Sequence, residues 1–261
     1  NIRLYIAIVD VTWLFKPGSY IDLYAQKLGA SIYGSKRIIS TIGMDLALGP
    51  ASLEPQAERC AWIIEVFIRP GGQSLLSTPP YRARIAVAQH YCPRELNAML
   101  TSGAPLPPAA SALIEACRRL HAARMQTQKI VRLKGDGSAE TIVAESMIAA
   151  KHWSAHYLSG RAFAPPIYKV HAAPQTEEKM QMINELASLG ISAKPADFDN
   201  PLKFARLLGD LQRQTLQLRD NHSADGKALM LADQIIEHFL MRSRYDSRNL
   251  GHHALGLSAY L

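Results

Sequence analysis

The sequence predicts an α+β domain, with helices packed on one side of a mostly antiparallel sheet. Two β-branched, apolar runs, Ile2–Val9 and Cys60–Ile68, lie in its first half. From Pro107 onward the apolar residues recur at helical spacing instead. Strands first and helices afterwards is the order of an α+β fold, not of alternating βαβ units.

The elements follow in order. Ile2–Val9 is a buried strand. Lys16-Pro17-Gly18-Ser19 is a turn, and Ile21 to Leu28 is a short helix ended by Gly29. Cys60–Ile68 is a strand closed by Pro70-Gly71-Gly72, and Tyr81 to Ala88 returns beside it as a hairpin partner. Ala109 to Met125 is a helix, and Lys129 to Leu133 is a short strand before a turn at 134–137. Ile142 to Leu158 is a helix stopped by Ser159-Gly160, and Ala164-Pro165-Pro166 is a rigid link. Thr176 to Leu189 opens like a capping box on Thr176-Glu177-Glu178 and ends at Gly190. Phe204 to Arg219 and Lys227 to Arg242 are two further helices. The expected organisation is one domain over 1–261, strand-rich to about 105 and helix-rich from about 106. No internal repeat or low-complexity tract interrupts it.

Composition bounds the partners. The chain has 261 residues, 48% hydrophobic and 20% charged, enough for one sizeable core and unlike a disordered tail. A formal charge of +7 favours a polyanion such as nucleic acid, although plain solubility is the bland alternative. The cysteines Cys60, Cys92 and Cys117 are odd in number and form no CxxC pair. That argues against a disulfide framework or structural zinc, and for the cytosol or another reducing compartment such as an organelle matrix. No apolar run approaches the ~20 residues of a membrane helix, and no signal peptide is visible. The chain has no initiator Met and starts on a strand-like run, which suggests a piece or processed product of a longer protein.

Few residues suggest chemistry by themselves. Asp10 ends the first strand, a common place for a catalytic carboxylate, but no second acid lies within two positions. His152 and His156 share a helix face at a spacing that can bind zinc, yet no third ligand is evident. His252-His253 is most simply structural. Tyr33 with Lys36 and Arg37, and Tyr91 before Cys92-Pro93-Arg94, interleave aromatics with cations. Rings stack on bases while cations meet phosphates, so both segments suit single-stranded nucleic acid. Core packing is the commoner fate of a Tyr.

Four blocks in order resemble the RNB domain of the ribonuclease II and ribonuclease R family. Ile6-Ala7-Ile8-Val9-Asp10-Val11-Thr12, Lys16-Pro17-Gly18-Ser19 and Gly29-Ala30-Ser31-Ile32-Tyr33 are similar to its "IADVSHYVKPGS…RGTSVYLP". Ala51-Ser52-Leu53 with Glu58-Arg59 is similar to "LCSL…DR". The run 142–150 is similar to "IVEEAMIAAN", with Tyr168-Lys169-Val170-His171 and Ala173-Pro174 following like "YRVHEAP". The run 249–260 is similar to "NxGHFGLGLxAY".

The resemblance implies processive 3′-to-5′ degradation of single-stranded RNA, with Mg²⁺ held by an acidic cluster. Tyr33 and Tyr91 match the family's aromatic RNA contacts, and Lys36, Arg37, Glu145 and Lys151 join them as expected RNA-binding residues. The departures matter as much. The family's D-x-x-D-x-D-D cluster would precede this chain, and its "TSPIRRY" motif would follow it. Where the family has two adjacent glutamates, the first of which holds the terminal ribose, this chain has Ala144 and Glu145. The "AAN" that follows has become Ala149-Ala150-Lys151, and the stretch between Met125 and Lys134 is shortened. No catalytic or metal-binding residue is therefore assigned within the chain. Two readings stand: a piece of an active exoribonuclease, or a degenerate RNB fold that binds RNA or serves a larger ribonucleoprotein or protein assembly.

Overall fold

A computed structural model describes residues 1–35, 37–55, 57–103, 105–127, 138–161, 166–172, 174–199, 207, 227–228, 230–232, 234–235, 243–255 and 257–261. The strands are β1 (Ile2–Val9), β2 (Ile32–Tyr33), β3 (Ile38–Ile39), β4 (Glu58–Ile68), β5 (Ser74–Leu76), β6 (Tyr81–Ala86), β7 (Tyr168–Val170) and β8 (Arg244–Asp246). The helices are α1 (Tyr20–Leu28), α2 (Met44–Leu48), α3 (Pro93–Ser102), α4 (Pro108–Thr127), α5 (Ala139–Ser159), α6 (Thr176–Ser188) and α7 (Pro195–Asp199). The fold is mixed helix and antiparallel sheet. It separates into two compact units, residues 3–67 with 76–106, and residues 1–2, 68–75 and 107–261.

In the strand-rich unit β4 is the spine. Within this unit it pairs with β1 and β6, and the β4–β6 pairing is antiparallel, with Trp62 opposite Arg82 and Cys60 opposite Arg84. Its consecutive residues Ile63, Ile64, Glu65 and Val66 are all buried. A strand covered on both faces reads as a continuous apolar run, which is why it stood out. Glu65 interrupts that run, and Arg3 pairs with it at 3.3 Å. Helix α1 starts where Ser19 Oγ accepts the Asp22 N–H at 3.4 Å and ends at Gly29, whose φ of +73° favours glycine. Strands β2 and β3, two residues each, went unforeseen because so short a pair has no periodicity.

The helical unit is built on α4 against α5. Cys117 lies between them, its Sγ 3.5 Å from the Ile142 carbonyl and 3.4 Å from Ser146 Oγ. Ser138 Oγ accepts the Thr141 N–H at 3.3 Å, so α5 begins at Ala139, before the expected Ile142. Helix α6 differs from expectation at its start. Its cap is Gln175, whose N–H is accepted by Glu178 Oε2 at 2.9 Å, and Thr176 is the first helical residue. Met182, Leu186, Phe198 and Ala232 form a buried cluster under α6 and α7. The expected strand at 129–133, the turn at 134–137 and the helix Phe204 to Arg219 lie outside the described residues. Of Lys227 to Arg242, the described residues are helical.

Gly72 sets how closely the β4–β5 turn approaches α4. Its φ is +80°, and a Cβ there would sit 2.4 Å from the Arg119 carbonyl oxygen and 2.7 Å from the Ala123 Cβ. Gly72→Ala is expected to cost about 2–5 kcal/mol, the sum of left-handed strain and overpacking against helix backbone. A chemical-denaturation midpoint reads this directly, and an unchanged midpoint would show that the turn lifts off α4 freely.

Residues 249–261 return to β7. The Lys169 N–H donates to the Tyr260 carbonyl at 2.9 Å, the His171 N–H to Gly251 at 3.1 Å, and the His253 N–H to His171 at 2.7 Å. Strands β7 and β8 pair antiparallel, with Lys169 opposite Tyr245. No helix among the described residues is long and apolar enough to cross a membrane.

Candidate nucleic-acid interface

The β2–β3 hairpin presents the first candidate residues. Ile32 faces Ile39 and Tyr33 faces Ile38, and the turn between is closed by the Gly34 N–H donating to the Arg37 carbonyl at 2.9 Å. Tyr33 is 78% exposed, and Arg37, four positions on at the end of the turn, is exposed as well. A ring so far out of the core gains little from packing. Lys36 lies outside the described residues. Tyr91 is half-buried and precedes Cys92, the cap of α3, whose Sγ accepts the Glu95 N–H at 3.4 Å.

Asp10 has a structural role. It is buried, accepts from the Thr12 N–H and hydroxyl at 3.1 and 2.6 Å, and pairs with Arg82 Nε at 2.9 Å. Arg82 also lies over the Trp62 ring, 5.0 Å from its centroid. Asp10, Trp13, Cys60, Arg82 and Arg84 help line a cleft of about 660 Å³ in this unit.

In the helical unit α5 carries the remaining candidates. Glu145 is only 1% exposed. One of its oxygens meets His121 Nδ1 at 2.7 Å and Arg124 Nη2, and the other accepts from Arg124 Nε at 3.2 Å. Burial by itself raises the Glu145 pKa. Hydrogen bonds from His121 and Arg124, and the Arg124 charge, overcome this and hold the carboxyl below its usual range. The carboxylate is thus committed to α4, and a contact from it to RNA stays an expectation of the resemblance. Sequence reasoning missed its partners. His121 and Arg124, three apart on α4 and so on one face, were the available signal. Ala144, on the preceding position of α5, offers only a methyl group.

Lys151 lies two turns beyond Ala144 on the same face. Its Nζ is 5.3 Å from the Tyr260 ring centroid. Burial first, and Lys169 second, push its pKa below the usual lysine value. His152 and His156 stack edge to face at 4.5 Å; His152 Nδ1 is 3.1 Å from the Ala259 carbonyl, and His156 Nε2 is 3.2 Å from Ser258 Oγ. They serve the fold. A pocket of about 310 Å³ in this unit is lined by Gln73, Arg124, Glu145, His152 and Trp153 among others.

Comparison with known proteins decides the family. The model of the RNB domain matches residues 1–261. The chain belongs to the RNB domain family. The chain is similar to ribonuclease R of Vibrio parahaemolyticus, 26% identical over 99% of this chain and 32% of that protein. Ribonuclease R of Thermotoga maritima is 24% identical over 100% of this chain and 38% of that protein. The chain thus spans about a third of the length of the curated relatives it matches. Among solved structures, Mycoplasma genitalium RNase R in complex with ribose-methylated single-stranded RNA superposes with a TM-score of 0.79 at 20% identity, covering 99% of this chain and 42% of that one. Yeast Ssd1, described as a pseudonuclease, superposes with a TM-score of 0.72 at 14% identity, covering 99% of this chain and 33% of that one. At such identities the likeness shows the shared RNB fold. The described residues do not fit the Mg²⁺ that the family implies. Among the described residues, no three His, Cys, Asp or Glu side chains gather to hold a metal.

Proposed function

We propose that this RNB chain binds single-stranded RNA and does not itself hydrolyse it. The observation that carries the second half lies on α5. Where the resemblance expects two adjacent glutamates, one position is the methyl of Ala144 and the other is a carboxylate locked by Arg124 and His121. A methyl cannot hydrogen-bond a ribose hydroxyl, and the loss of such a contact costs about 1–3 kcal/mol. RNA binding itself is supported by the exposed Tyr33 ring beside Arg37 and by the chain's surplus of cations. The RNA bound to the similar Mycoplasma RNase R points the same way. The three free thiols suit a reducing compartment, the cytosol or an organelle matrix.

The test is incubation of the protein with a 3′-overhang RNA and Mg²⁺ or Mn²⁺. We expect the RNA to stay full length. Stepwise shortening from the 3′ end would instead establish the second reading, in which residues beyond this third of the relatives' length supply an acidic cluster. Binding is tested separately. Tyr33→Ala is expected to weaken single-stranded RNA by about 1–3 kcal/mol, the worth of one base-stacking ring. Fluorescence anisotropy measures it, and equal affinity of variant and parent would remove Tyr33 from the interface.

A further inference from the structure

Two lysines of the helical unit have no carboxylate partner among the described residues. Lys151, on α5, sits over the ring of Tyr260 at 5.3 Å. Lys169, in the middle of β7, sits over the ring of its cross-strand neighbour Tyr245 at 5.6 Å. The two arrangements are joined, because the Lys169 N–H donates to the carbonyl of Tyr260, whose ring carries Lys151. Neither ammonium makes an ion pair among the described residues. The acid on the neighbouring strand is spent: Asp246 pairs with Arg248 at 3.2 Å and with Arg244 at 3.5 Å.

Both lysines are half-buried. Two like charges gathered on elements joined by the Lys169–Tyr260 backbone bond, each partly out of water and set against a ring face, are costly to the fold. It is relieved by an anion that bridges them. Each ammonium offers three donors on a flexible stem, which suits the oxygens of a phosphate. The lowered pKa of Lys151, caused by burial and then by Lys169, is in keeping with that repulsion.

We propose that Lys151 and Lys169, framed by Tyr260 and Tyr245, form a binding site for a phosphate group of nucleic acid. The choice of nucleic acid rests on the RNA-binding reading above; the anion site rests on the two lysine–ring contacts and the backbone bond that joins them. A backbone phosphodiester and a terminal phosphate monoester share this chemistry, and the experiment separates them.

Lysine acetylation of the protein, read by mass spectrometry at constant ionic strength, tests the anion site. Inorganic phosphate is expected to slow modification of Lys151 and Lys169 several-fold relative to chloride. Equal rates in the two salts would overturn the site. Anisotropy then compares single-stranded RNAs ending in a 3′-hydroxyl, a 3′-phosphate or a 5′-phosphate, for the parent protein and for Lys151→Asn and Lys169→Gln. Each substitution is expected to weaken binding several-fold. It should also lower the slope of log affinity against log salt by about 0.7, the share of one phosphate contact on a single strand. If the loss appears only with one phosphorylated end, the occupant is that terminal phosphate; if it appears with all three RNAs, it is the backbone. Unchanged affinity and slope in both variants would overturn the nucleic-acid assignment. Phosphate protection without any RNA affinity would keep the anion site and sink the RNA-binding reading.

Discussion

Glu145→Ala is expected to destabilise the protein by about 3–5 kcal/mol, the cost of breaking a buried ion pair from one side. The carboxylate is the counter-charge of Arg124, itself only 7% exposed. Without it, the buried Arg124 guanidinium loses its carboxylate, and His121 loses its 2.7 Å partner. The mechanism is tested by a second variant. Glu145→Leu with Arg124→Met removes both charges and replaces them with apolar volume, which for buried pairs is often close to neutral. The double variant should therefore recover most of the stability lost by the single one, as measured by urea midpoints. If both variants lose the same amount, the pair is not what holds these helices together. The pair also has a pH signature. The folded state holds the Glu145 carboxyl below its usual pKa, so its contribution is present above the unfolded value of 4.5 and is lost as pH falls below that. If Glu145 instead held RNA, Glu145→Gln would weaken binding while leaving the fold comparatively intact.

Stability is also expected to fall by roughly 3 kcal/mol between about pH 6.5 and pH 4 on account of His252. Its imidazole is buried, and Leu255 donates its N–H to Nδ1 at 3.2 Å, which requires that nitrogen to be unprotonated. The groups that face it are His171, stacked at 5.3 Å, Tyr260 at 5.2 Å, and the nearby Lys169 and His253. Burial first, then His171, pushes the pKa down from 6.5 to about 4. Below pH 6.5 the unfolded chain takes up a proton that the folded chain excludes. Stability due to His252 is thus full above 6.5, declines toward 4, and levels off below. His253 and His152 shift in the same direction, also mainly by burial, and deepen the decline. His252→Asn keeps an acceptor for Leu255 and removes the titration, so its stability profile should be flatter across this window. Parallel profiles for the variant and the parent would show that the acid sensitivity lies elsewhere. The consequence is local: His252 and its neighbours hold residues 249–261 onto β7 through the bonds at His171 and Tyr260.

Much of the fold was legible in the chain because its signals are local. β1 occupies Ile2–Val9 as expected, and α1, β4, β6, α4 and α5 lie within a few residues of expectation. Their apolar period and their punctuation by Gly and Pro are properties of adjacent residues. The hairpin β2–β3 and the cap of α6 were not legible. The first is too short to show a period, and the second depends on Gln175 taking up an extended backbone before the helix. Part of the site was legible as well. Tyr33 was singled out as an aromatic beside cations, and it stands exposed beside Arg37.

By itself the sequence determined the RNB family and the order of strands before helices, and it set Ala144 where the resemblance expects a glutamate. These are matters of residue identity and spacing along the chain. Tertiary structure alone decided what the retained polar residues do. It turned Asp10 inward to Thr12 and Arg82, committed Glu145 to a buried pair with Arg124, and set Lys151 and Lys169 against aromatic rings, with no acid partner among the described residues. Whether a charge is spent within the fold or open to a partner depends on groups such as Arg124, 21 residues from Glu145, and Arg82, 72 residues from Asp10, which only packing brings within hydrogen-bonding reach.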